Sequence, residues 1–416
     1  MEPFIFTGMS NLSLTEQVEK RASTPQNPSM SAPIYLDTGG DLGLEVGPDA
    51  VRFVVDSRTM ARASAPWKKM LHGGYAESKP QQGSWVVRLP EDDPEVLHIL
   101  LATIHGDFSK TPNKPKLEQL SRIAELADKY DLAHLLRPWA LSWCSDLDSS
   151  YYIGPYMGSD WKAPDYDTMA HIAWIAWVLG SLPLFEKATM GLVMEAEVDG
   201  DGQLLDPAGE PLLDSHIFFS VPDILGETYH DILAKRSTDP THPPDSLATW
   251  RDSAIQYLLE PFQGLMDRLM TLQNIDVCLL ARKSGVTLSF ESLKTKTDCE
   301  MVLLGSLVRA LAQAELFPLP DNASDIFEGV ASLKSRLFSQ VLANVKTTSA
   351  SASALNGPHG SSGKFTKGVV NHEACHPREH IVKEIRESFR RLGAVTTETH
   401  HRLFSVAAKK TGMPLK

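Results

Sequence analysis

Eleven residues, VNHEACHPREH from Val370 to His380, gather four side chains that bind transition metals, His372, Cys375, His376 and His380, beside Glu373 and Glu379. Within them, His376-x-x-Glu379-His380 has the order used by one class of zinc peptidases. There, histidines at i and i+4 share a helix face and the glutamate works on the metal-bound water. That chemistry needs an unbroken helix through all five residues. Pro377 sits second, and proline is accepted only in a helix's first turn, so His376 is expected outside the helix, turned away from His380. A third ligand would also be required, and after His380 only Glu384, Glu387 and Glu398 remain as acids. The stretch therefore reads as the start of an amphipathic helix at His376/Pro377. Ile381, Ile385, Phe389 and Leu392 form its apolar stripe.

A structural zinc clip is the alternative. His372-x-x-Cys375 has ligand spacing, and Cys278 and Cys299 could supply two more donors. No second close pair accompanies it, and Cys278 and Cys299 read more simply as small core hydrophobes. On the sequence alone, no metal, cofactor or catalytic residue is assigned, and the chain is expected not to be an enzyme. A zinc-dependent protein, structural or hydrolytic, built on residues 372–380 is the competing reading.

Other motifs dissolve on inspection. In DGDG, Gly202 would be fourth where a calcium loop needs its glycine sixth, so Asp199–Gly202 is expected to be a hairpin turn. GPHGSSGKF has the wrong spacing for a phosphate loop, with Phe365 where the metal-binding hydroxyl belongs. No Gly-x-Ser-x-Gly elbow or dinucleotide glycine pattern is present. Trp174 and Trp177 read as helix core, and His400-His401 as an isolated exposed pair.

The 416 residues carry a net charge of −12, which argues against a general nucleic-acid or anionic-membrane binder. From Lys364 onward, eleven basic residues face five glutamates, a basic tail on an acidic chain. Four scattered cysteines suit a reducing intracellular compartment, cytoplasmic or nuclear. The N-terminus lacks the pattern of a secretory signal. The most apolar run, HIAWIAWVLGSLPLF, is interrupted by Pro183 and too short to span a bilayer, so it is expected to be a buried helix.

The elements that must position these residues fall into five segments. Residues 1–33 hold one short helical pattern, SLTEQVEK, and a Pro/Ser-rich stretch. Residues 34–150 alternate strands and helices. DLGLEVG and VRFVVDS form a hairpin, and RTMARASAPWKKML gives two short helices broken at Pro66. SWVVRL is a third strand, and DPEVLHILLATIHG and KLEQLSRIAELADKYDL are helices. Residues 151–346 are mostly helical with one β-hairpin, 347–368 form a flexible linker, and 369–416 a basic amphipathic helical tail.

The 34–150 segment resembles a BTB/POZ domain, in the wording found among filamentous-fungal members. Asp41-Leu42 matches the family's opening pair. Phe53, Val55, Asp56, Met60, Ser64 and Trp67, followed by KKML, track its f-x-v-H-x-x-x-L-x-x-x-S-x-x-F segment. LPEDDPEVLHILLATIHGDF and LSRIAELADKYDL resemble the later strand and helices. Asp56 stands where the family commonly has His, Met60 where it has Leu, and His105 where it has Tyr. The resemblance implies an α/β (α+β) fold with a short sheet flanked by helices. It further implies a homodimer formed through an exposed apolar helical face, with a helical region that recruits another protein. It also raises a cullin scaffold as partner, with Tyr75 and Glu77 of LHGGYAESKPQQ as the contact pair. A solvated loop is the plainer reading of that common triplet. No nucleic-acid or membrane partner is expected.

Overall fold

The computed structural model describes residues 32–151, 164–212, 247–271, 290–348, 372–393, 396 and 398–414. The expected helix SLTEQVEK, most of the Pro/Ser-rich stretch and of the 347–368 linker, and Cys278 lie outside these residues.

The sheet has the order β1-β3-β2-β4. β2 (Leu42–Val46) and β3 (Val51–Val55) form an antiparallel hairpin that sets Leu44 opposite Phe53. Alternation along β2 buries Leu42, Leu44 and Val46 on one face, the period-two pattern of a half-buried strand. β4 (Val86–Leu89) returns parallel to β2, and the short β1 (Ile34–Tyr35) lies parallel to β3 at the opposite edge.

Helix starts are set by side chains that satisfy otherwise open N–H groups. Asp56 accepts from the Thr59 N–H at 2.6 Å and opens α1 (Ser57–Ala63). The break between the short helices falls at Ser64 rather than at Pro66, which occupies the first turn of α2 (Ala65–His72). Ser64 ends α1, accepts from the Trp67 N–H, and donates its hydroxyl to the Tyr130 carbonyl at 2.6 Å. Asp93 caps α3 (Pro94–Ile104), and α4 (Leu117–Lys129) buries Leu120, Ile123, Ala124 and Ala127. Tyr130 then stacks on Trp67 and donates its hydroxyl to the buried Asp92, which also receives Lys129. Burial, and then the Asp92 bond, push the Tyr130 phenol well above its ordinary range.

The apolar run HIAWIAWVLGSLPLF, expected as one buried helix, is divided at Gly180, and α5 (Arg137–Ser150) leads to its first part, α6 (Tyr166–Leu179). It is apolar nearly all round and lies between α4 and α7 (Leu182–Glu195). No helix among the described residues is long and apolar enough to cross a membrane. The DGDG segment forms the expected hairpin turn between β5 (Glu197–Val198) and β6 (Leu204–Leu205). Asp199 Oδ1 there accepts from the Asp201 and Gln203 N–H groups.

Among the described residues of the mid-chain follow the α-helices α8 (Leu247–Met270), α9 (Phe290–Gln313) and α10 (Val330–Arg336). Arg251 on α8 is 1% exposed and donates to the carbonyls of Ala196, Ile326 and Glu328, tying α7 to the segment before α10. Burial lowers its pKa, while Asp252, Glu197 and Glu328 oppose the shift.

The two tail helices are docked rather than free. α11 (Arg378–Phe389) packs on α8 with Ile381 and Ile385 buried. α12 (Glu398–Thr411) packs against α5, α6 and the turn at Ala133–Leu136. Its Phe404 meets Trp177 and Phe185, Thr411 donates to the Leu179 carbonyl at 2.6 Å, and Lys410 pairs with Asp131. Gly180 ends α6 in the left-handed region, at φ 79°, where a Cβ would collide with the Ala407–Ala408 backbone. The expectation of an exposed His400-His401 pair is corrected. His400 is buried on the docked side and His401 is exposed, because neighbouring helical positions diverge by about 100°.

Candidate functional site

Tyr75 and Glu77 lie on the α2–β4 loop, which is pinned at several points. The Ser78 N–H donates to the Tyr75 carbonyl, and the Ser78 hydroxyl donates to the Met70 carbonyl and accepts from the Gly74 N–H. The Trp85 indole donates to the Glu77 carbonyl at 2.8 Å. Lys79 sits over the Trp85 ring and reaches Asp41 at 3.2 Å. This arrangement presents the Tyr75 ring, 52% exposed, on a turn whose backbone is held, with Glu77 half-buried beside it. An aromatic ring at low ordering cost beside a carboxylate is an adequate protein-contact pair.

Asp41 links this loop to the helix start. It accepts from the Ser57 N–H at 2.9 Å and the Ser57 hydroxyl at 3.0 Å as well as from Lys79. Burial raises its pKa, but the Ser57 bonds and Lys79 outweigh that and hold the carboxyl below its ordinary value. Tyr35 and Phe108 are also exposed in this unit, and Phe108 leans on Trp139, which in turn stacks on Trp143. The sequence offered no motif that singles out Phe108.

The peptidase-like histidines do not converge. His376 Nδ1 accepts from the Arg378 N–H at 3.2 Å, outside α11 as Pro377 requires, and His380 Nε2 meets Glu384 on the helix's wet face at 3.0 Å. A different set does converge. Cys299 from α9 meets His372 and Cys375 from the 3-10 turn at Glu373–Cys375, and their donor atoms all lie within 4.8 Å of one another. All three side chains are buried. Cys299 is buried in the core as expected, and the fold brings it beside His372 and Cys375. The turn closes because the Cys375 N–H donates to the His372 carbonyl at 2.8 Å, which brings Sγ to 3.7 Å from His372 Nδ1. Among the described residues this is the one histidine, cysteine or acid group with metal-ligand spacing.

A cleft of about 1090 Å³ opens between Tyr166, Glu195, Asp206, Lys334, Phe338 and Arg378. Desolvation holds the Lys334 ammonium below its ordinary pKa and the Glu195 carboxyl above its own. Lys334 sits in an ordinary helical pattern, whereas Glu195 belongs to the alternating run before the DGDG turn, which reads as a hairpin strand but is helical as far as Glu195.

Comparison of the chain with protein-family models, curated proteins and solved structures finds no match.

Proposed function

We propose that this chain is a non-enzymatic protein–protein interaction protein whose 34–150 segment is a BTB/POZ-like unit that self-associates, with the remaining helices recruiting a second protein. The observation that carries the reading is an order of pairing. The β2–β3 hairpin is followed by two short helices sharing Ser64 as cap, then by β4 parallel to β2, α3 and α4. That succession agrees with the motif order over several elements at once, from Asp41 through Tyr130. The exposed Tyr35 on the edge strand β1 and the exposed Phe108 are apolar surface that a second copy can cover. Cys144, Cys299 and Cys375 are buried and outside any disulfide, which favours an intracellular setting, cytoplasmic or nuclear.

Light scattering on the purified full-length chain tests the reading. A mass twice 45.8 kDa at tens of micromolar, roughly the range where a functional dimer persists, is expected. A single-chain mass there sinks self-association. Within this reading the sharper variant is a cullin adaptor that uses Tyr75 and Glu77. Capture of a cullin from lysate should then be lost in the Tyr75→Ala, Glu77→Ala double variant, and capture that survives both changes removes that contact.

A further inference from the structure

The geometry points to a structural zinc site formed by Cys299, His372 and Cys375. Zinc bonds of about 2.3 Å to sulfur and about 2.05 Å to nitrogen, at tetrahedral angles, put S and N ligands roughly 3.6 Å apart and two S ligands roughly 3.8 Å apart. Sγ of Cys375 and Nδ1 of His372 stand 3.7 Å apart, and the whole set fits inside 4.8 Å. A small contraction around an ion completes three corners of a tetrahedron.

The chemistry of the donors selects the metal. Two thiolates and an imidazole suit zinc and fit calcium or magnesium poorly, since those ions take oxygen. Two thiolates also cancel the ion's charge, which allows it to sit among buried side chains. Exposures of 1%, 1% and 4% for Cys299, His372 and Cys375 meet that condition. Either cysteine alone would be ordinary core filling, but a buried imidazole set against both sulfurs makes a donor set of zinc type. Binding releases the thiol protons, and the ion staples α9 to the arm that enters α11. The His372 N–H donates to the Thr348 carbonyl at 3.3 Å, and a metal cross-link would add a second restraint on this arm.

Two measurements on the full-length chain decide it. Protein purified without chelator should contain close to one zinc per chain, on the order of one equivalent. The Cys299→Ser and Cys375→Ser variants should fall to background. Because a variant could simply misfold, the second measurement uses the unaltered protein. Thiol alkylation mapped by mass spectrometry should rise at Cys299 and Cys375 when a zinc chelator is added. Cys144, whose thiol burial pushes up to about 12, serves as a buried cysteine remote from the cluster and should stay unlabelled. Cobalt reconstitution should give a thiolate-to-metal charge-transfer band. Absence of zinc with no chelator effect overturns the site, as does a Cys299–Cys375 disulfide in a non-reducing peptide map.

Discussion

The main-chain N–H of Asp56 donates to Nε2 of His105 across 3.2 Å, joining the cap of α1 to the residue that ends α3. Nδ1 of the same ring faces the Leu101 carbonyl at 2.8 Å, so the imidazole carries its proton there and accepts with Nε2. Two residues 49 positions apart in the chain are thus in contact with each other. His105→Phe removes both bonds and should cost about 1–2 kcal/mol in urea denaturation. Asp56→Ala removes the α1 cap and should cost about 1 kcal/mol. Because His105 grips backbone rather than the carboxylate, the double variant should be additive to within about 0.5 kcal/mol. A larger coupling would mean that the side chains interact directly.

Acid should weaken this corner in a defined direction. The side-chain and backbone bonds to Thr59 hold Asp56 below the ordinary aspartate value of 3.8, and Asp41 is held low as well. Carboxylates with depressed folded-state values contribute stability that is complete above the unfolded value and lost as pH falls through the folded one. Unfolding midpoints should therefore drop as pH is lowered below about 4. Asp56→Asn keeps a capping oxygen without a titration, so its midpoint should fall less steeply over that range. Parallel curves for the two proteins would remove Asp56 from the account.

Arg251 should be among the least replaceable residues. Its guanidinium fork serves three carbonyls from two segments, and a lysine's single ammonium cannot reproduce that geometry. Arg251→Met strands those carbonyls in the interior, at a cost of roughly 3 kcal/mol or more. Arg251→Lys should recover only part of it. Stability unchanged in Arg251→Met, read by thermal unfolding, would show that other donors take over.

On the tail helix, packing should outweigh charge. The Lys410–Asp131 pair is exposed on both sides, and Lys410→Ala should change stability by less than about 1 kcal/mol. Phe404→Ala empties a buried aromatic site against Trp177 and Phe185 and should cost about 3–5 kcal/mol. Gly180→Ala attacks the same docking from the other side by forcing a Cβ into the α12 backbone. Limited proteolysis should then release the C-terminal segment from Gly180→Ala and Phe404→Ala but not from Lys410→Ala.

Much of this fold was legible because its signals are local. Alternation in LGLEV marks a half-buried strand, the acid before Pro94 marks the start of α3, and Pro377 places His376 outside α11, whereas the caps Asp56 and Ser64 emerge only in the structure. Each of these depends on residues within a turn or two of one another. What the chain order could not convey is which faces meet. Cys299 lies on a helix far from the His372–Cys375 turn, and nothing near either one indicates that they converge. His400 and His401 are the same residue type at adjacent positions, and only the docking of α12 on α6 buries the first and leaves the second in water. Asp56 and His105 stand 49 residues apart, and their bond exists because α1 and α3 pack together. Periodicity states that a side chain will be buried, while its neighbours are chosen by the burial of whole faces, a property of the assembled chain.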